Sequence, residues 1–251
     1  MRAVKARHLK DSGIEVYPGL ASFSDTPRDH DLLFGRDEDL QRVLDTVLSS
    51  SLSILFSRSG LGKTSLINAK VCPELRDRRF LPVTFRPSYD LQAGPVAGIV
   101  ARIRQEAVLH DITVTGPQSS SGLWSFLHES TFKMGARNFR PVLILDQFEE
   151  VFTILRPSAP HGEMWTHDLI REVADLARRR VPEDVRQSKV QAAQKLDPED
   201  EGRKQIMALL YGDALPEVKV LISIREDFLA DLGTLQGSLP GLLQNSIRLQ
   251  P

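Results

Sequence analysis

Ser51-Leu52-Ser53-Ile54-Leu55-Phe56-Ser57-Arg58-Ser59-Gly60-Leu61-Gly62-Lys63-Thr64 runs from an apolar stretch through a Gly-rich turn into Lys-Thr. Residues 51–56 read as a short buried strand, and Leu66, Ile67 and Val71 continue at helical spacing behind the turn. A turn in that position can curl so that successive backbone N–H groups meet phosphate oxygens, while the following helix presents the positive end of its dipole. Lys63 is then placed to neutralise the β- and γ-phosphates. The Thr64 hydroxyl is a hard oxygen donor for Mg²⁺. Ser59, Gly60, Leu61, Gly62, Lys63, Thr64 and Ser65 are therefore the expected nucleotide-binding residues of a P-loop. The usual pattern opens on glycine, and here Ser57 stands there. If that position were left-handed, serine would cost about 1–2 kcal/mol. The alternative is a glycine-rich turn that merely contains Lys-Thr.

On either side the chain alternates between strand and helix. Leu40, Val43, Leu44, Val47 and Leu48 form the apolar stripe of an amphipathic helix ahead of the loop. Beyond it, residues 80–85 read as a strand ended by Arg86-Pro87-Ser88, and Val96, Ile99, Val100 and Ile103 as a helix. After a Ser/Gly-rich break at 116–122, Leu123, Phe126 and Leu127 mark another helix. Residues 141–145 are continuously apolar, as in a parallel strand covered on both faces, and residues 218–224 repeat that character. The interval between these two strands is far longer than a loop, and Leu169, Ile170, Val173 and Leu176 place at least one helix in it. Its later part, 181–201, is highly charged and reads as an exposed helical excursion or a partly mobile stretch. Ile247 and Leu249 close the chain like a short last strand. The expected fold is a three-layer α/β P-loop NTPase: a mostly parallel sheet of about five strands, helices on both faces, and a helical insertion over about 157–216. Residues 1–33 read as a lead-in and 34–251 as the core.

Asp146 directly follows the apolar run, so its carboxylate belongs at the carboxyl end of a buried strand, where ligands of such sheets bind. There it can support Mg²⁺. Glu149 follows within one turn and is the preferred group to orient and deprotonate an attacking water, with Glu150 as understudy. The alternative is that Asp146 caps the following helix and the glutamates favour its N-terminus. Arg225 ends the 218–224 strand, where a cation can neutralise phosphate or pair with Glu226 or Asp227.

The ordered set Phe34-Gly35-Arg36-Asp37-Glu38-Asp39-Leu40, Gly-Lys-Thr-Ser, Leu143-Ile144-Leu145-Asp146-Gln147-Phe148-Glu149-Glu150 and Ile224-Arg225-Glu226-Asp227-Phe228-Leu229 resembles the STAND class of signal-transduction ATPases. It is most similar to the bacterial novel STAND NTPase group, and Tyr17-Pro18-Gly19-Leu20 resembles the lead-in of those proteins. The resemblance implies Gly35 and Arg36 near adenine and ribose, and Arg225 as the sensor of the γ-phosphate. It further implies a switch that exchanges ADP for ATP and self-associates or engages effector and sensor domains. A helical domain and a winged helix would normally follow, so the chain reads as the nucleotide-binding core alone.

With 32 basic against 33 acidic residues and a net charge of −1, the chain lacks the electrostatic drive of a dedicated nucleic-acid binder. This disfavours an AAA-like motor or loader acting on DNA. Cys72 is the single cysteine, which excludes an internal disulfide and a cysteine-based zinc site. With no apolar run of membrane-spanning length and no signal-peptide core, the expected location is cytoplasmic, without membrane partners. Arg178-Arg179-Arg180 reads as a solvated helix end, with an acidic partner or nucleic acid as the other reading. Two functions stay open: slow hydrolysis of Mg-ATP by a regulatory core, and a non-hydrolysing nucleotide-binding and oligomerisation module.

Overall fold

The continuous apolar runs become strands because both of their faces are buried, and the one-sided stripes become helices that cover them. A computed structural model of the chain describes residues 22–87, 94–118, 120, 122–153, 161–211, 215–239 and 241–250. The Tyr17–Leu20 motif lies outside them.

In chain order, α1 (Pro27–Leu32) is capped by Thr26, and α2 (Asp37–Ser49) buries Val43, Leu44 and Val47. Next come β1 (Leu52–Ser57), α3 (Lys63–Leu66), a π turn (Ile67–Val71) and α4 (Cys72–Asp77). The π turn has a cause in the sequence. Pro73 has no N–H for the carbonyl four residues back, so the ladder loosens there and the Cys72 N–H bonds Ile67 O. The chain continues through β2 (Phe80–Phe85), α5 (Gly94–Leu109), β3 (Thr113–Thr115), α6 (Leu123–Glu129), β4 (Thr131–Met134) and β5 (Arg137–Asn138). Then follow β6 (Arg140–Leu145), α7 (Glu150–Thr153), α8 (Gly162–Arg178), α9 (Glu183–Gln194) and α10 (Glu201–Tyr211). It closes with β7 (Lys219–Arg225), α11 (Leu229–Gly233) and β8 (Ser246–Arg248).

The main sheet is parallel throughout, in the order β2-β6-β7-β1-β8. Alternate residues of each strand feed opposite cores. Ile54, Val83, Leu143 and Ile222 join α5, α6 and α8 in one cluster, whereas Leu55, Ile144 and Leu221 join α2 and the α3–α4 run in the other. The expected mostly parallel, two-faced sheet is thus the one observed. The excursion at 181–201 is largely α9, which is mostly solvated, buries Ala193 and packs Val185 against the core. No helix among the described residues is long and apolar enough to cross a membrane.

The sequence reading missed the antiparallel sheet β3-β4-β5. Its strands are too short to show alternation, and its outer residues Thr113, Lys133 and Asn138 are all polar.

Candidate nucleotide site

The parallel register brings four strand ends to one edge: Phe85 lies opposite Leu145 and Ser57 opposite Arg225. Between them the chain turns sharply. Gly60 and Gly62 have φ of +79° and +82°, with open space where a Cβ would stand, so the requirement for glycine there is conformational rather than steric. Ser57 is different. It is the last residue of β1, pairs in register, and is not among the positive-φ residues, so the strain considered for serine does not arise. Its side chain is buried, donates to Arg58 O at 2.9 Å, and accepts from Lys63 Nζ at 3.2 Å.

Opposite the loop, Asp146 N–H donates to Phe85 O and Phe148 N–H to Ser223 O, both at 2.9 Å. These bonds tie the turn after β6 to the strands on both sides, and Gln147 makes the reversal at φ +55°. The carboxylate this fixes is 4% exposed, and its Oδ2 accepts the Thr64 hydroxyl at 2.7 Å. Thr64 and Asp146 are therefore in contact across 82 residues of sequence. The helix that Asp146 could have capped begins only at Glu150. Asp146 Oδ1 is buried and has no partner. An orphaned carboxylate oxygen beside a hydroxyl, at the mouth of an N–H-lined loop, is the donor chemistry of Mg²⁺. Among the described residues, no group of three or more His, Cys, Asp or Glu side chains could hold a metal unaided.

Burial lowers the Lys63 ammonium below the ordinary lysine range, while Glu149 and Asp146 draw it back upward. The two glutamates part company. Glu149 Oε2 accepts the Arg225 backbone N–H at 3.2 Å and, of the charges acting on Lys63, contributes most. Glu150 turns the other way, 8% exposed, with Oε1 held by the Arg86 guanidinium. Arg86 gave no local signal, since the pairing depends on β2 lying beside β6. The Arg225 side chain is engaged by Asp227, at 3.1 and 2.6 Å, and lies over the Phe228 ring.

Gly35, at φ +76°, lets the chain turn into α2, and Arg36 bridges three elements: Asp39, Leu61 O in the loop and Gln250 O near the chain's end. Arg36 is thus attached to the loop itself. With Gly35 and Asp39 it lines a hollow of about 350 Å³, and a second of about 240 Å³, which shares Gln250 with the first, lies between Leu61, Leu249, Arg58 and Arg248. Ser59 and Gly60 are exposed. Ser65 Oγ accepts the Phe23 N–H at 3.2 Å, which fastens the lead-in to the helix that carries Thr64.

The model of the family described as Novel STAND NTPase 1 matches residues 17–251. The chain belongs to the novel STAND NTPase 1 family. As a member it carries the P-loop NTPase core whose loop and acidic strand end meet as described. Among solved structures it is similar to the Walker-type ATPase of Pyrococcus abyssi, at 12% identity and a TM-score of 0.52, covering 92% of this chain and 57% of that one. A second likeness is to the ORC2 protein of Aeropyrum pernix, at 12% identity and a TM-score of 0.46, covering 86% of this chain and 48% of that one. This novel STAND NTPase core thus spans little more than half the length of the first structure, and the likeness is one of fold. No curated protein matches it.

Proposed function

We propose that the chain is the Mg-ATP-binding core of a STAND-type signalling or defence switch, and that it hydrolyses ATP slowly to ADP and phosphate. The reading is carried by the Thr64–Asp146 hydrogen bond with Lys63 one residue away, because it joins loop and acidic strand end at one point. Lys63 trades its Ser57 contact for the β- and γ-phosphates, and the N–H groups of residues 59–65 surround them. Thr64 and Asp146 are the residues to hold Mg²⁺, which when bound neutralises phosphate charge. Leu61 offers an apolar face to the base, with Gly35 and Arg36 at the neighbouring hollow. Glu149 orients the attacking water and accepts its proton as the bond to the γ-phosphorus forms and the β–γ bridge breaks. The Arg225–Asp227 pair supports slow turnover, since Arg225 must leave Asp227 to reach the phosphate.

That same pair favours a second reading, a non-hydrolysing nucleotide-binding and oligomerisation module. Single-turnover phosphate release separates the two. With Mg-ATP binding retained throughout, we expect Glu149→Gln to slow release by about 10²–10³-fold and Glu150→Gln by less than about tenfold. Nucleotide binding without release by the parent protein would establish the module, and unchanged release by Glu149→Gln would remove Glu149 from the chemistry.

A further inference from the structure

The Arg178-Arg179-Arg180 run is not used by the nucleotide site, and the fold carries it to the opposite pole of the sheet. Ser51 Oγ donates to Ala177 O at 2.6 Å, which fixes the end of α8 beside the start of β1. The neighbouring strand starts bring further cations. Arg79 precedes β2, Arg140 opens β6 opposite Phe80, and Lys219 opens β7. Burial lowers the Lys219 ammonium below its ordinary range, and Arg179 and Arg140 add to this while Glu217 opposes it.

Some of these charges are compensated. Arg140 pairs with Glu217 and Arg180 with Asp175. The rest are not. The side chains of Arg79, Lys133, Arg137 and Arg179 are exposed and have no ion pair or hydrogen bond among the described residues. Arg79 and Arg179 moreover stand at φ +63° and +50°, left-handed positions that glycine would occupy with less strain. Both positions follow helix ends, where the Arg79 N–H bonds Arg76 O and the Arg179 N–H bonds Leu176 O, so the left-handed turns are those that close α4 and α8.

Beside these charges, between the small sheet and the segment leading into β7, lies a cleft of about 530 Å³. Leu127, Phe139, Pro141 and Leu215 line it with apolar surface, and Lys133, Arg140 and Glu217 line it with charge. A cleft with apolar walls and the unpaired Lys133 in its lining, on a pole that also exposes Arg79, Arg137 and Arg179, complements a polypeptide carrying acidic residues around apolar ones. Apolar side chains of such a segment fill the space between the apolar walls, where duplex DNA has no apolar group to seat.

We infer that this pole is a docking surface for an acidic, amphipathic polypeptide segment of a partner protein, on the face of the core remote from the nucleotide. The inference is independent of the proposed hydrolysis, since it concerns binding at the other end of the strands. Fluorescence anisotropy of the intact chain tests it, with a short labelled peptide of aspartate, glutamate and leucine in mixed order as probe. Labelled single- and double-stranded DNA provide the competing arm. The peptide should bind in a salt-dependent manner, and Arg79→Glu/Arg179→Glu should weaken it by about tenfold or more while the far-ultraviolet circular dichroism stays unchanged. Arg79→Gly separates binding from folding: the peptide should bind several-fold more weakly although Tm is unchanged or raised. Failure of the peptide to bind, tighter binding of either DNA, or full affinity in the arginine variants would each overturn the inference.

Discussion

Ser57 shows how one side chain can be misjudged from a pattern. Glycine opens the usual loop, which invites the expectation that serine is a defect, yet Ser57 is extended backbone at a strand end and gives Lys63 a neutral acceptor. Restoring the pattern should therefore bring no gain. Ser57→Gly should cost about 0.5–1 kcal/mol in urea unfolding, because glycine in a strand loses more backbone freedom. It should also leave the Kd for Mg-ATP within about threefold of the parent. A marked rise in affinity would mean that the hydroxyl obstructs the phosphates. Gly60 and Gly62, by contrast, were legible as glycines with a purpose, and their left-handed φ supplies it. Glu149 was preferred over Glu150 on sequence, but the contact that turns Glu150 away was not legible, since Arg86 follows a strand 64 positions away.

The helices show the same dependence on distant partners. Gly122, the N-cap of α6, has no side chain to cap it, and Glu172 of α8 supplies the missing acceptor by taking the Trp124 N–H at 2.9 Å. The contact is close enough that a Cβ on Gly122 would stand 2.2 Å from Glu172 Oε1, so Gly122→Ala should destabilise by about 1–3 kcal/mol. Burial raises the Glu172 pKa above the ordinary glutamate range, partly offset by the Trp124 N–H. A carboxyl group raised in the folded state contributes stability that is present at low pH and is lost as pH climbs from its unfolded value through its folded one. Glu172→Gln removes that titration. Unfolding free energies measured from pH 4 to 7 should show the parent losing stability relative to the variant as pH rises, and the opposite slope would contradict the burial argument. Long, doubly buried elements were legible because burial writes a continuous apolar run. Strands β3 to β5 were not, because residues as few as Arg137–Asn138 leave no period to read.

For the whole molecule, the succession of strands and helices could be read from patterning, but the order β2-β6-β7-β1-β8 could not, because adjacency of parallel strands is decided by packing across long crossovers. That order is what matters for the site. It sets β7 between the loop strand and β6, lets the turn after β6 bond to both of its neighbours, and so delivers Asp146 to Thr64. It also gathers the strand starts into a cationic pole, a feature invisible in a net charge of −1. The account stands on Lys63 and Asp146 serving one bound nucleotide in different ways, which calorimetric titration with ATP in Mg²⁺ and in EDTA can resolve. Lys63→Ala should lose about 100-fold in affinity under both conditions, whereas Asp146→Asn should match the parent in EDTA and lose only the gain that Mg²⁺ confers. Parent-like affinity in Lys63→Ala, or a full Mg²⁺ gain in Asp146→Asn, would show that the two side chains do not share a ligand.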